Sequence, residues 1–131
     1  VKKLAWQFKP TVPIYIQVVS VIKSRIFNGE YPPGSHLPSV RELAQEASVN
    51  PNTVQKAFGE LEQSGLICTF RTAGRNVTED EELIKRCKED ICRKYVNSFV
   101  NEMSTMGLSR EDILSVLDDI IKSQTEKEGG L

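Results

Sequence analysis

Apolar positions recur at helical spacing along five separate stretches of this chain, and at strand-like spacing along one. Tyr15, Val18, Val19, Ile22 and Ile26 keep a 3–4 interval, with Gly29 as a stop signal, which predicts a helix over 14–28. Val40, Leu43, Ala44 and Ala47 mark a second, short helix, and Val54, Ala57, Phe58 and Leu61 a third over 51–64. The run Leu66-Ile67-Cys68-Thr69-Phe70-Arg71 then reads as a strand. Thr72-Ala73-Gly74 turns the chain and Arg75-Asn76-Val77-Thr78 returns it, so 66–78 forms a small hairpin. Beyond it, Ile84, Cys87, Ile91, Tyr95, Phe99 and Met103 line one side of a long helix that stops near Gly107. Ile113, Leu114, Val116, Leu117, Ile120 and Ile121 line a last one. The predicted class is mainly α with one small β-hairpin.

Polar residues at the element ends sharpen this pattern. Ser39 with Glu42 three residues on is a capping box for the second helix. Ser48-Val49 turns the chain, Asn50 caps the third helix, and Pro51 takes its first position, where a missing N–H costs nothing. Gly65 stands where a left-handed C′ residue is expected. Two short amphipathic helices joined by so tight a turn make a helix-turn-helix, and the hairpin that follows is a wing. Thr78 with Glu81 forms another capping box, and the acids at 79–82 suit the positive end of a helix dipole. Ser109 with Asp112 starts the last helix in the same way. Residues 1–13 form an extended lead-in whose Trp6 and Phe8 alternate and cover an edge of the core; alternatively Lys2, Lys3 and Lys9 make it an arm that reaches phosphate. Tyr31 to His36 is a turn-rich connector, and His36, without a carboxylate or cysteine cluster, reads as a surface loop residue.

Length and charge divide the chain. At 131 residues it holds a domain of 1–78 and an appendage of 79–131. The net charge of −1 conceals +4 in residues 1–78 (nine Lys/Arg, five Asp/Glu) and −5 in 79–131 (eight against thirteen). A basic front and an acidic back imply that only the front meets a polyanion. No apolar run approaches the ~18–20 residues of a membrane span, and no secretory signal opens the chain. Cys68, Cys87 and Cys92 are an odd count without CxxC or Cys/His spacing, and read as reduced thiols packed as small hydrophobes in a cytoplasmic protein. The tail carries more apolar surface than two helices can bury on a small domain. It is expected to join two copies through Ile84, Ile91, Tyr95, Phe99, Ile113, Leu114, Leu117, Ile120 and Ile121, a two-helix dimerisation hairpin.

The chemistry lies on the third helix. Asn50, Asn52, Thr53, Gln55 and Lys56 give its outer face amides, a hydroxyl and a cation, with no acid before Glu60. Amides pair with an adenine edge, hydroxyls bond phosphate or base, and lysine neutralises phosphate. Arg71 and Arg75 flank the wing tip, where arginines suit phosphate or the minor groove. No nucleophile–base pair, phosphate-cradling glycine loop or metal-ligand cluster is present, which argues against an enzyme, a metal site or a cofactor.

Taken together, the first helix, the PPG connector, LPSVRELAQE, NPNTVQKAFGELEQSGLI and the hairpin resemble the winged helix-turn-helix of the GntR family of bacterial transcription regulators, over residues 13–80. The lead-in AWQFKPTVPIYIQ and the short helical tail are similar to its YtrA-like subfamily. In that family the start of the first motif helix, the recognition helix and the wing meet DNA. The resemblance therefore implies DNA contact by Ser39 and Arg41, by Asn50, Asn52, Thr53, Gln55 and Lys56, and by Arg71 and Gly74. The chain departs from many relatives at Pro51 and Gln55, where a polar or basic residue and an arginine are common. It departs again at Thr72 and Asn76, where a glycine and an aromatic are.

The expected function is a homodimeric regulator, a repressor, on a near-palindromic double-stranded DNA operator. Recognition helix 51–64 and wing 66–78 would read it. A small-molecule effector would bind between the tail helices or between tail and front, and the sequence does not name one. The rival expectation is a dimeric winged-helix adaptor for a protein partner.

Overall fold

The computed structural model describes residues 6–70 and 74–128. In chain order these form α1 (Ile14–Phe27), α2 (Val40–Ala47), α3 (Pro51–Ser64), β1 (Ile67–Phe70), β2 (Gly74–Val77), α4 (Glu81–Thr105) and α5 (Arg110–Glu128). The class is as the periodicities predict: helices with one antiparallel hairpin, in which Ile67 faces Val77 and Phe70 faces Gly74.

The chain separates into two compact units, Val1–Glu89 and Asp90–Leu131. In the first, α1, α2 and α3 pack around one core that the hairpin closes. Val18 and Ile22 of α1, Leu43 of α2, Val54, Phe58 and Leu61 of α3, and Leu66 and Val77 of the hairpin are all buried there. Every apolar stripe read from α2 and α3 thus finds its partner, apart from a half-exposed Val40. Tyr15, assigned to the stripe of α1, is only half-buried.

The caps hold these short helices in place. Ser39 Oγ accepts from the Glu42 N–H at 3.1 Å and the Glu42 carboxylate accepts from the Ser39 N–H at 3.4 Å, completing the capping box. Ser48 ends α2 in the left-handed region at φ 57°, which makes the tight turn into α3. Asn50 Oδ1 accepts from the Asn52 N–H at 2.8 Å, with Pro51 directly behind it. Gly65 ends α3 at φ 83°. No side chain caps α1; instead Gln17 Nε2 donates to the carbonyls of Lys9 and Val12, and Gln17 Oε1 accepts from the Lys9 N–H. That exchange ties the lead-in to α1. Trp6 and Phe8 pack against the core, as their alternation suggests, whereas Lys2 and Lys3 lie outside the described residues.

Four readings need correction. The cap of α4 is Asp80, not Thr78: Asp80 Oδ1 accepts from the Leu83 N–H at 3.1 Å, while buried Thr78 accepts from the Asp80 N–H. Either residue fits the sequence, but Thr78 is held in the hairpin, its N–H on the Leu66 carbonyl and its own carbonyl accepting from Gly34 N–H, and the helical bond from Ile84 N–H goes to the Asp80 carbonyl. Ile84 and Cys87 pack on the core of the first unit, so Ile84 is withdrawn from the dimerisation stripe and the compact units divide inside α4, beyond residue 78. Cys68 and Cys92 are exposed; only Cys87 is partly buried. Strand alternation turns Cys68 outward when its neighbour Ile67 turns in.

The core also holds a charge that no periodicity foretells. Arg25, on the face of α1 that packs inward, is fully buried. Its guanidinium donates to the Tyr31 hydroxyl at 2.7 Å, pairs with Glu46 of α2 at 2.7 Å and Glu30 at 3.4 Å, and lies under the Trp6 ring. Trp6 Nε1–H donates to the same Glu46 carboxylate.

In the second unit α5 begins with the predicted box: Ser109 Oγ accepts from the Asp112 N–H at 3.1 Å, and Asp112 returns to the Ser109 N–H. No described residue of α4 or α5 is buried. Tyr95 is 70% exposed, Leu114 51% and Ile120 50%.

Candidate nucleic-acid interface

The inner face of α3 is held by Val54, Ala57, Phe58 and Leu61, which leaves the opposite face outward. Asn52, Gln55 and Lys56 are exposed there and Thr53 is half-buried. The capping bond uses only Asn50 Oδ1, which leaves its amide hydrogens free to donate outward. Lys56 is steered: its Nζ lies 3.9 Å from the centroid of the Tyr15 ring of α1, a cation–π contact. Tyr15, Asn52, Thr53 and Lys56 line one shallow depression with Ile14. The sequence reading missed Tyr15 here, having assigned it to the core stripe of α1.

A second group gathers at the start of α2. Ser39 and Arg41 are exposed and share an open cleft of about 300 Å³ with His36, Leu37, Pro38, Val40 and the wing residues Gly74 and Arg75. Gly74 has φ 74°, and a Cβ there would stand 3.0 Å from His36 Cε1, so a side chain would be strained and would crowd the His36 ring. Residues 35–37 run antiparallel beside β2: Val77 N–H donates to the Ser35 carbonyl at 2.9 Å and Leu37 N–H to the Arg75 carbonyl at 2.8 Å. His36 is exposed, as expected, but it is part of the wing's edge and not of a free loop.

Two candidate residues part company with the rest. Arg71 lies outside the described residues. Arg75 turns inward: its Nε donates to Glu62 Oε1 at 2.9 Å and its guanidinium lies 4.8 Å over the Phe58 ring. The Arg75 hydrogen bond, helped by one from Thr69, pulls the Glu62 carboxyl below its ordinary value. Arg75 thus clamps the wing to α3 through Nε, and it also lines the cleft shared by Ser39 and Arg41. Among the described residues there is no cluster of His, Cys, Asp and Glu fit for a metal ion, and no helix long and apolar enough to cross a membrane.

Comparison with known proteins places this geometry. The model of the gntR family of bacterial regulatory proteins matches residues 14–77, from the start of α1 to the end of β2. The solved GntR family transcriptional regulator from Listeria monocytogenes is 39% identical, with a TM-score of 0.83 over 86% of this chain and 98% of that one. The chain belongs to the GntR family. It is thus a transcription regulator with a DNA-binding winged helix, and not an enzyme. Among GntR relatives, the transcriptional repressor YtrA of Bacillus subtilis is 44% identical over 72 residues, 55% of either chain. The DNA-binding domain of AraR, solved in complex with an operator, is 30% identical, with a TM-score of 0.54 over 60% of this chain and all of that domain.

Proposed function

We propose that this GntR-family chain is a homodimeric repressor that binds a near-palindromic DNA operator. Each α3 enters a major groove, where Asn52, Thr53 and Gln55 meet base edges and Asn50 and Lys56 the flanking backbone. Arg41 and Ser39 hold phosphate at the start of α2, with the wing alongside at Gly74. The two half-sites lie about one helical turn apart. The observation that carries this reading is the outward face of α3, an uninterrupted set of amides, a hydroxyl and a lysine on a helix fixed from behind by four buried residues. Such a surface offers paired donors and acceptors and little for an apolar protein partner to cover.

The second copy is supported by the tail. Tyr95, Leu114, Ile120 and Ile121 are about half exposed or more, a stripe too apolar to remain in water. Ile91, Phe99, Ile113 and Leu117 are the half-buried members of the same helices, and pairing two copies would cover both sets. Repression is supported by the likeness to YtrA, whose name states that activity. The test is selection of bound sequences from random duplex DNA, with the mass of the complex measured in solution. A palindromic consensus bound by two chains is the expected result. Failure to bind any duplex at low salt would instead favour an adaptor for protein.

A further inference from the structure

The wing's edge carries a titratable group whose surroundings fix its chemistry. Asn76 Nδ2 lies 3.1 Å from the Gly34 carbonyl, and a carbonyl only accepts, so the amide hydrogens of Asn76 point there. Its Oδ1 therefore faces the other way, 3.2 Å from His36 Nδ1. Because that oxygen also only accepts, Nδ1 carries a proton whether the ring is neutral or charged. All change of protonation falls on Nε2. This atom is on the side of Gly74, where a Cβ would stand 3.6 Å from it, and the ring lines the cleft shared with Ser39 and Arg41.

We propose that His36 is a further DNA-contacting residue, which in its charged form donates from Nε2 to a backbone phosphate, so that operator affinity is coupled to pH. The inference rests on the reading that this face meets DNA. A neutral ring with Nδ1 protonated presents only a lone pair at Nε2, which repels a phosphate oxygen. The charged ring presents an N–H and a positive charge, a charge-assisted hydrogen bond. The charged groups around it are compatible with an anion in the cleft. Arg41 lies at the start of α2, and Arg75 on β2 is already paired with Glu62. The Glu42 carboxylate is held on the Ser39 N–H, and Glu79 stands beside Gly34, 3.2 Å from where its Cβ would be. Binding therefore takes up one proton. Affinity is therefore highest with the ring charged and falls as rising pH removes the Nε2 proton.

The chain has a single histidine, so the effect is assignable. The full chain is titrated with its selected operator between about pH 5 and 8 at fixed ionic strength. The wild type should lose affinity by up to about tenfold per pH unit across part of that range, the limit for one linked proton. His36→Asn keeps a donor for Asn76 and has no group at the position of Nε2. It should bind with little pH dependence, and at the acidic end its salt slope should be shallower by about one phosphate. His36→Lys, charged throughout, should hold at the alkaline end the affinity that the wild type has at the acidic end. Equal pH and salt dependence in wild type and His36→Asn, with equal melting temperatures, would overturn the proposal alone. A wild type that binds no duplex at any pH would overturn the DNA reading and the proposal with it.

Discussion

Arg25 and Glu46 meet at 2.7 Å where α1 packs on α2, with the arginine side chain 1% exposed and the glutamate 29%. Burial works against the charge on Arg25, but the hydrogen bonds it donates to Glu46 and Tyr31 outweigh it and raise the guanidinium above its ordinary value. Burial likewise pushes the Tyr31 phenol up. This pair pins the lead-in, through Trp6, to the helix that precedes the recognition helix.

Glu46→Ala should therefore cost about 3 kcal/mol of folding stability, because it leaves a buried guanidinium short of its main counter-charge. Urea unfolding of the two proteins at neutral pH measures it. A loss no larger than that of an exposed ion pair would show that solvent already screens the contact.

The second ion pair has a pH signature. Glu62 has its pKa depressed in the fold by Arg75, so its contribution is present above the ordinary carboxylate value. It is lost as pH falls through the folded value. Glu62→Gln should remove that acid-side loss, so that wild type and variant differ fully above the ordinary carboxylate value and converge only once pH has fallen below the depressed folded value. The difference should be about 0.5 kcal/mol, since the glutamate side chain is 35% exposed and solvent screens the pair. Thermal melts at a series of pH values would reveal it; a constant gap at all pH values would sink the assignment.

What the sequence made legible was local. Ser39 with Glu42, Asn50 with Pro51, and Ser109 with Asp112 are spaced by three residues or fewer, and each does what its spacing implies. The outward face of α3 was legible for the same reason, since it is the complement of a periodic buried stripe. Contacts that skip many residues were not. Arg25 reaches Glu46 across α1 and α2, His36 meets Asn76 forty residues away, and Arg75 turns to Glu62 instead of outward. Two wing arginines look alike in the sequence, and only the fold commits one of them to a carboxylate. At Thr78 and Asp80 two caps compete within three residues, and the hairpin's hydrogen bond to Thr78 decides between them.

Base reading and phosphate holding should separate under mutation. Gln55→Ala should cost about 1–3 kcal/mol on the selected operator and relax preference at one base position. Arg41→Ala should weaken all sequences alike and reduce the salt slope by about one unit. Binding titrations on the operator and on scrambled duplex, at several salt concentrations, distinguish the two. Identical, sequence-independent losses for both variants would contradict this division of roles.

The tail can be tested without DNA. Leu117 and Ile120 belong to the proposed pairing face of α5, and Leu117→Asp with Ile120→Asp should place charges there. The expected result is a monomer by sedimentation that has lost most of its operator affinity while the first unit still melts cooperatively. A dimer that survives both changes would move the interface elsewhere.

The absence of any buried residue among the described residues of α4 and α5 has a consequence for how the regulator would respond in a cell. If, as proposed, the second unit covers its apolar side by pairing with another copy, its order would depend on mass action: stability of the tail, dimer population and operator occupancy would all rise with protein concentration. At low copy number occupancy would then climb roughly as the square of the amount of protein. Such a regulator would be sensitive to its own dilution, as during growth and division, before any other signal reaches it.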